Sequence, residues 1–365
     1  MKILGLETSC DETACSVVED GVKVLSNVIA SQVELHAETG GVVPEVAARE
    51  HILKIVPVVD RALEEAGCDW SDIDAVAVTK GPGLISSLII GTCGASAISY
   101  VMDKPVIPVH HIVGHVYANA LDAEALEFPA LILTVSGGHN EIILMRSYND
   151  FVILGETRDD AAGEAFDKVA RILDLGYPGG PVISKVAIDG DREAFKLPRS
   201  YLEAGSLDFS FSGLKTAVLN KVKKYVRENH PDKEFGNYSQ IGKLLPAEFK
   251  ADLAASFQEA VVEVLSDKLI QAYLNLEDEG TDVKEIHLAG GVSANSRLRE
   301  VVTAKVAKLG TSAGLEPTLR FPKSLEYCTD NAAMIAGAAY FISNKGKGLK
   351  KAPSNITPTT NFDLF

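Results

Sequence analysis

Two stretches of this chain follow one plan, and the repetition restricts its fold more than any single motif. Residues 3–20 run as an apolar strand, the polar turn Glu7-Thr8-Ser9-Cys10-Asp11-Glu12-Thr13, and an alternating strand from Ala14 to Val18. About 130 residues on, residues 131–145 repeat it as LILTV, the turn Ser136-Gly137-Gly138-His139-Asn140, and EIILM. Strands on either side of a tight polar turn predict a β-hairpin. Each hairpin is followed by a strand, a glycine turn and a helix: IDAVAVT before Gly81-Pro82-Gly83, and VKEIHLA before Gly290-Gly291-Val292, with a helix from Ser293. Such alternation predicts two similar α/β lobes with a ligand cleft between them. The 365 residues suffice for two or three domains, and 46 % apolar with 23 % charged residues is an ordinary globular composition.

Fifty acidic against 35 basic side chains give a net charge of −15, which excludes a protein that grips nucleic acid over its whole surface. A local basic patch remains possible, and Lys215, Lys221, Lys223, Lys224 and Arg227 form the best one, although a solvated helix face has the same composition. The five cysteines are scattered without a Cys-x-x-Cys pair, and the N-terminus turns polar after Leu6, so a reduced, cytoplasmic setting is expected. Residues 81–102 are twenty-two without a charge, long enough to span a bilayer. Eleven of them are Gly, Pro, Ser, Thr or Cys, which predicts a buried, closely packed helix instead. The Lys- and Gly-rich residues 345–351 should begin a surface extension.

His111 and His115 stand four apart in HHIVGH, a helical spacing that brings both imidazoles within reach of one metal ion. Buried helix histidines, His110 included, have the same spacing, and no glutamate follows the first histidine as in His-Glu-x-x-His proteases. A third ligand has to come from elsewhere in the chain. Residues 8–13, 136–138 and 290–291 are turns rich in small and hydroxylated residues at strand ends, suited to a nucleotide's phosphates or simply to chain reversal. By itself, Asp330 reads as a helix cap, and Pro178-Gly179-Gly180-Pro181 as a rigid loop. DFSFSGLKT matches neither a strand nor a helix face.

In chain order, ILGLETSCDET, HHIVGH, VSGGHN, DDAAGEAFDKVAR, YPGGP, DFSFSGLKTA, LAGGVSAN and YCTDNAAMIAG closely resemble the motifs of the bacterial tRNA adenosine threonylcarbamoyltransferases. This is the TsaD-type family, once described as O-sialoglycoprotein endopeptidases. The resemblance extends from Ile3 to about Ala339. It implies the actin, sugar-kinase and Hsp70-like (ASKHA) α/β fold, with residues 1–112 and 325–345 as one lobe, 113–324 as the other and 346–365 as a surface tail. It also implies transfer of a threonylcarbamoyl group from threonylcarbamoyl-adenylate to the exocyclic amine of the adenosine just 3′ of the anticodon, in tRNAs reading codons that begin with A.

Carried over by residue, the resemblance makes His111, His115 and Asp330 ligands of a divalent ion, Fe²⁺ or Zn²⁺. The donor site falls on Thr134, Val135, Ser136, Gly137, Gly138, Asp167, Gly180 and Asn295, and Asp11 with Glu12 match the acidic pair near the reaction centre. Implied partners are tRNA, a smaller paralogous subunit (TsaB-type), for which residues 30–55 offer a surface, and an ATPase subunit (TsaE-type), with no membrane. Val113 stands where related sequences often carry glutamate, and residues 361–365 have no counterpart. An ASKHA-type ATPase or phosphotransferase and a metalloprotease are the alternatives.

Overall fold

A computed structural model describes residues 1–203, 205–231, 241–309, 316–343, 349 and 356–360. It divides into two compact units, one of Met1–Leu126, Ser147–Asp150 and Arg320–Phe365, the other of Glu127–Arg146 and Phe151–Leu319.

The first unit is built on strands β1 (Lys2–Glu7), β2 (Glu12–Glu19), β3 (Lys23–Ser31), β4 (Ala75–Gly81) and β5 (Val106–His110). Their order is β3-β2-β1-β4-β5. The hairpin strands β1, β2 and β3 are antiparallel, whereas β4 and β5 run parallel to β1. β1 is apolar almost throughout because both of its faces are covered. On one face Leu4, Leu6, Cys15, Val17, Val76 and Val78 share a core with Val58, Val59, Ala62 and Leu63 of helix α2 (Pro44–Ala66). The helix packed on the other face is the last among the described residues. A side chain at Gly5 would lie 2.4 Å from the Ala332 carbonyl oxygen and 3.0 Å from Ala336 Cβ. A short helix α1 (Val33–Thr39) precedes α2.

Helix α3 (Ile85–Met102) corrects the expectation of a wholly buried helix. It buries Ser87, Leu88, Gly91, Thr92, Ala95 and Ser99, while Ile85, Ile89, Tyr100 and Val101 are exposed. Small residues let the helix sit close to its neighbours: Gly91 lies against Thr8, and Gly94 against Ile55 of α2. Larger apolar side chains are thereby left on the outer face.

The second unit has β6 (Ala130–Val135), β7 (Asn140–Ser147), β8 (Asp150–Glu156), β9 (Glu285–Ala289) and β10 (Thr318–Arg320) in the order β10-β9-β6-β7-β8. Numbered from the first strand of each unit, both sheets read 3-2-1-4-5. β7 pairs antiparallel with β6, and β9 parallel to it, as β2 and β4 do with β1. The duplicated hairpin of the sequence is therefore a duplicated sheet, and the chain has the ASKHA-type α/β fold. Apolar periodicity marked the hairpins and the strands before each glycine turn. It passed over β3, β5, β8 and β10, whose residues are more mixed or fewer.

Helices of this unit are α5 (Ala162–Leu173), α6 (Gly179–Val186), α7 (Ser212–Asn229), α8 (Ala247–Asp278) and α9 (Ser296–Val306). Pro178-Gly179-Gly180-Pro181 is the start of α6 rather than a loop, with Pro178 at its N-cap. In the first unit remain α4 (His111–Tyr117) and α10 (Ala332–Ile342). Most of residues 345–365, including the expected extension at 345–351 and residues 361–365, lies outside the described residues. Within the described part, Ile356 packs on the α2 core and the Thr359 amide donates to the Lys80 carbonyl (3.1 Å).

Candidate functional site

Helix α4 begins where β5 ends, and His110 caps it by accepting a bond from the Ile112 amide (3.2 Å). The next residue is His111. One turn on, His115 faces the same way, and their ring centroids lie 4.7 Å apart. Asp330, just before α10, brings Oδ1 to 3.5 Å from His111 Nε2 and 3.2 Å from His115 Nε2. One ligand atom from each of the three lies within 4.8 Å of the others. α10 is capped by Asn331, which accepts from the Met334 amide (3.0 Å), so Asp330 is not the cap its isolated position suggested.

The end of β1 supplies a group that sequence reasoning missed. Glu7 is fully buried; its Oε2 accepts from Thr79 Oγ1 (2.6 Å) and from His111 Nδ1 (3.2 Å), and its Oε1 from the Ser9 amide (2.5 Å). A carboxylate holding Nδ1–H leaves the Nε2 lone pair for a cation and fixes the ring's orientation. Burial opposes charge on His111, but Asp330 and Glu7 outweigh it and push its pKa well up. Burial likewise opposes charge on Asp330, yet His111 and then His115 hold its carboxyl far below the usual range. Two imidazoles, one carboxylate and an oriented proton on the far side of one ring fit a divalent ion of the Fe²⁺ or Zn²⁺ type. The only sequence signal for Glu7 was a carboxylate closing an otherwise apolar strand.

Between β1 and β2 the turn carries Asp11, only 6 % exposed, and Glu12. Burial raises the Glu12 pKa well above normal, reinforced by Asp11 and then by Asp330. Asp330 also raises the Cys10 thiol, after burial and Asp11, so Cys10 is no thiolate. Glu12 and Cys10 thus share their electrostatic surroundings with the histidine cluster.

In the second unit the remaining expected residues form a closed circuit of contacts. The Gly137 carbonyl accepts from the Glu164 amide at the start of α5 (2.9 Å), and Gly163 sits so close that a Cβ there would lie 2.5 Å from the Ser136 carbonyl oxygen. Further along α5, Asp167 Oδ1 accepts from the Gly179 amide at the start of α6 (2.7 Å). Asn295 donates to Ser184 of α6 and to Gln258 of α8, each at 2.9 Å, and caps α9 by accepting from the Leu298 amide (3.0 Å). Gly290, at φ +82°, would place a Cβ 2.5 Å from the Val135 carbonyl oxygen and so returns the circuit to the end of β6. Thr134 is buried below this turn, while Gly137, Gly138 and Gly180 have open space where a side chain would stand. Both protons of the Asn295 amide are already engaged, which makes it a brace between α6, α8 and α9.

DFSFSGLKT also becomes intelligible. Phe209 makes an isolated parallel bridge to Thr157 and is buried with Phe211. The intervening polar residues serve Asp159, which accepts from Ser210 Oγ (2.6 Å), Ser212 Oγ (2.6 Å) and the Phe211 amide (3.0 Å), tethering the start of α7. Lys215, Lys221, Lys223, Lys224 and Arg227 all lie on α7, with Lys224 and Arg227 exposed.

The chain was compared with known proteins. Residues 23–337 match the family model described as tRNA N6-adenosine threonylcarbamoyltransferase. A protein of that name from Thermomicrobium roseum is 50 % identical over 362 residues, covering 95 % of this chain and 93 % of its own length. One from Bacillus subtilis is 48 % identical over 346 residues, covering 95 % and 92 %. Among solved structures, full-length HypF in its phosphate- and nucleotide-bound form aligns with 95 % of this chain and 47 % of its own, with a TM-score of 0.54 and 14 % identity, a likeness of fold alone.

Proposed function

The chain belongs to the tRNA N6-adenosine threonylcarbamoyltransferase family, and from that premise we propose how its residues share the reaction. It is a transferase that modifies tRNA. The donor is threonylcarbamoyl-adenylate, and the acceptor is the exocyclic amine of the adenosine just 3′ of the anticodon in tRNAs reading codons that begin with A. The amine nitrogen attacks the carbamoyl carbon, the bond from that carbon to the phosphate oxygen breaks, AMP leaves with the electron pair, and the amine loses a proton. An already activated donor needs no covalent enzyme nucleophile, in keeping with the raised pKa of Cys10.

Family membership carries this reading, and the His111, His115, Asp330 cluster braced by Glu7 supports its metal requirement. Those three residues would hold a divalent ion, which would supply Lewis acidity toward the donor. Asp11, buried in the turn after β1, orients the amine or accepts the proton it loses. Backbone amides around Ser136, Gly137 and Gly138 cradle the donor, Thr134 and Val135 end the strand beneath them, and Gly180 leaves room at the start of α6. Asp167 and Asn295 hold the walls of that cradle, through Gly179 and through Ser184 with Gln258.

tRNA approaches over the basic residues of α7. A smaller paralogous subunit docks on the first unit, where Ile52, Leu53 and Val56 of α2 and Ile85 and Ile89 of α3 are exposed apolar side chains. Only Ile52 and Leu53 of these fall within residues 30–55. An ATPase subunit completes the set, in the cytoplasm.

The test mixes the purified chain, its partner subunits, donor and unmodified tRNA, and follows the modified nucleoside by mass spectrometry. Transfer that His111→Ala abolishes together with metal binding is the expected result. Unchanged transfer by a metal-free His111→Ala protein removes the metal's role. ATP turnover without tRNA or donor would make the chain an ATPase, and metal-dependent peptide hydrolysis a protease.

A further inference from the structure

Resting on the reading that Asp11 takes part in transfer, we propose that His51 is a positioning residue for the reaction, one imidazole that clamps both flanks of the Asp11-Glu12 pair. His51 lies on α2 and is fully buried. Its Nε2 stands 3.0 Å from the Cys10 carbonyl oxygen and its Nδ1 2.8 Å from Thr13 Oγ1. A carbonyl oxygen can only accept, so Nε2 carries the hydrogen. Nδ1 is then the acceptor, and the Thr13 hydroxyl donates to it. Burial pushes the His51 pKa down, which keeps the ring neutral and this tautomer in place.

The clamp joins the residue before the acidic pair to the residue after it. A brace matters there because any shift of the turn's backbone carries the buried Asp11 carboxyl with it, and a misplacement of about 1 Å is enough to cost most of the rate. Other contacts hold only parts of the turn. Ser87 of α3 donates to the Cys10 carbonyl (3.3 Å), the Gln32 amide donates to the Asp11 carbonyl (3.1 Å), and Ser31 Oγ donates to Glu12 (3.2 Å). His51 alone among these reaches both sides of the pair. A rigid five-membered ring sets that span far more narrowly than a flexible side chain would.

The experiment compares His51→Leu, His51→Gln and Thr13→Val with wild type in the complete complex. It measures kcat, KM for the donor, bound metal and melting temperature. His51→Leu should lower kcat by about 100-fold, the scale of a 1 Å misplacement, with metal content unchanged and donor KM within about twofold. His51→Gln, whose amide can donate to Cys10 and accept from Thr13, should recover about tenfold of that loss. Thr13→Val, which removes one side of the clamp, should lower kcat about tenfold and decides the matter if His51→Leu does not fold. Wild-type kcat in His51→Leu or Thr13→Val, or no recovery in His51→Gln, overturns the clamp. Asp11→Ala is assayed beside them: full activity there overturns the role of the turn and the clamp with it, whereas an inactive Asp11→Ala beside a fully active Thr13→Val overturns the clamp alone.

Discussion

Glu7 has no solvent and three hydrogen-bond partners, Ser9, Thr79 and His111, and its work is to hold one proton on His111. Glu7→Gln keeps the shape of the side chain but removes the charge that favours Nδ1–H. Metal affinity should fall about 10- to 100-fold, read by competition with a chelating dye, and unchanged affinity would remove Glu7 from the centre. Glu141 is a second buried carboxyl, opposite Thr134 across β6 and β7, and its Oε2 has no hydrogen-bond partner among the described residues. Burial, and then Glu156, raises its pKa from 4.5 to about 7. The folded chain therefore holds a proton that the unfolded chain has released, and stability falls as pH rises through that window. Glu141→Gln should be more stable than wild type by up to about 3 kcal/mol near pH 8, with the difference vanishing near pH 4. Melting temperatures across that range check it, and a gap that does not change with pH counts against burial as the cause. Periodicity exposed the His111 and His115 pair because both sit on one helix. It could not join Asp330 or Glu7 to them, since those contacts are made across the sheet and only the family motifs linked Asp330.

At the scale of elements, the cradle in the second unit depends on close backbone approach. Gly163→Ala would put a methyl 2.5 Å from the Ser136 carbonyl oxygen, so the turn at residues 136–138 has to move. Donor affinity should drop at least about tenfold, measured by calorimetry with a non-hydrolysable donor analogue, while metal content matches that of wild type. Equal affinity would detach the turn from donor binding. Glycine turns were visible in the sequence as turns, but their convergence was not. Three of them look alike one by one, and only the parallel pairing of β6 with β9 brings Gly290 beneath Val135. α3 shows a different limit: its composition said helix, but which face is buried depended on α2 and the turn at Thr8, neither of which periodicity can see.

For the whole molecule, a net charge of −15 has to be reconciled with a polyanionic substrate. An enzyme that modifies one anticodon loop needs few phosphate contacts, and partner subunits can add others. The isolated chain should bind tRNA weakly, and the assembled complex well. Reversing Lys221 and Lys224 to Glu should weaken the complex and lower the slope of log affinity against log salt by about 1–2, in filter-binding titrations. An unchanged slope would reject α7 as the contact. The duplicated architecture was legible from the hairpin repeat, whereas the return of residues 325–345 to the first unit came only from the family resemblance, because no local pattern in α10 says which sheet it covers. That return also orders events in time. Gly5 and Ala332 are 327 residues apart in the chain, so β1 is synthesised long before the helix that covers it. His111 and His115 emerge well before Asp330, which arrives only with α10. A chain cut short before Asp330 would therefore carry two histidines and an uncovered sheet, and never the full set of His111, His115 and Asp330.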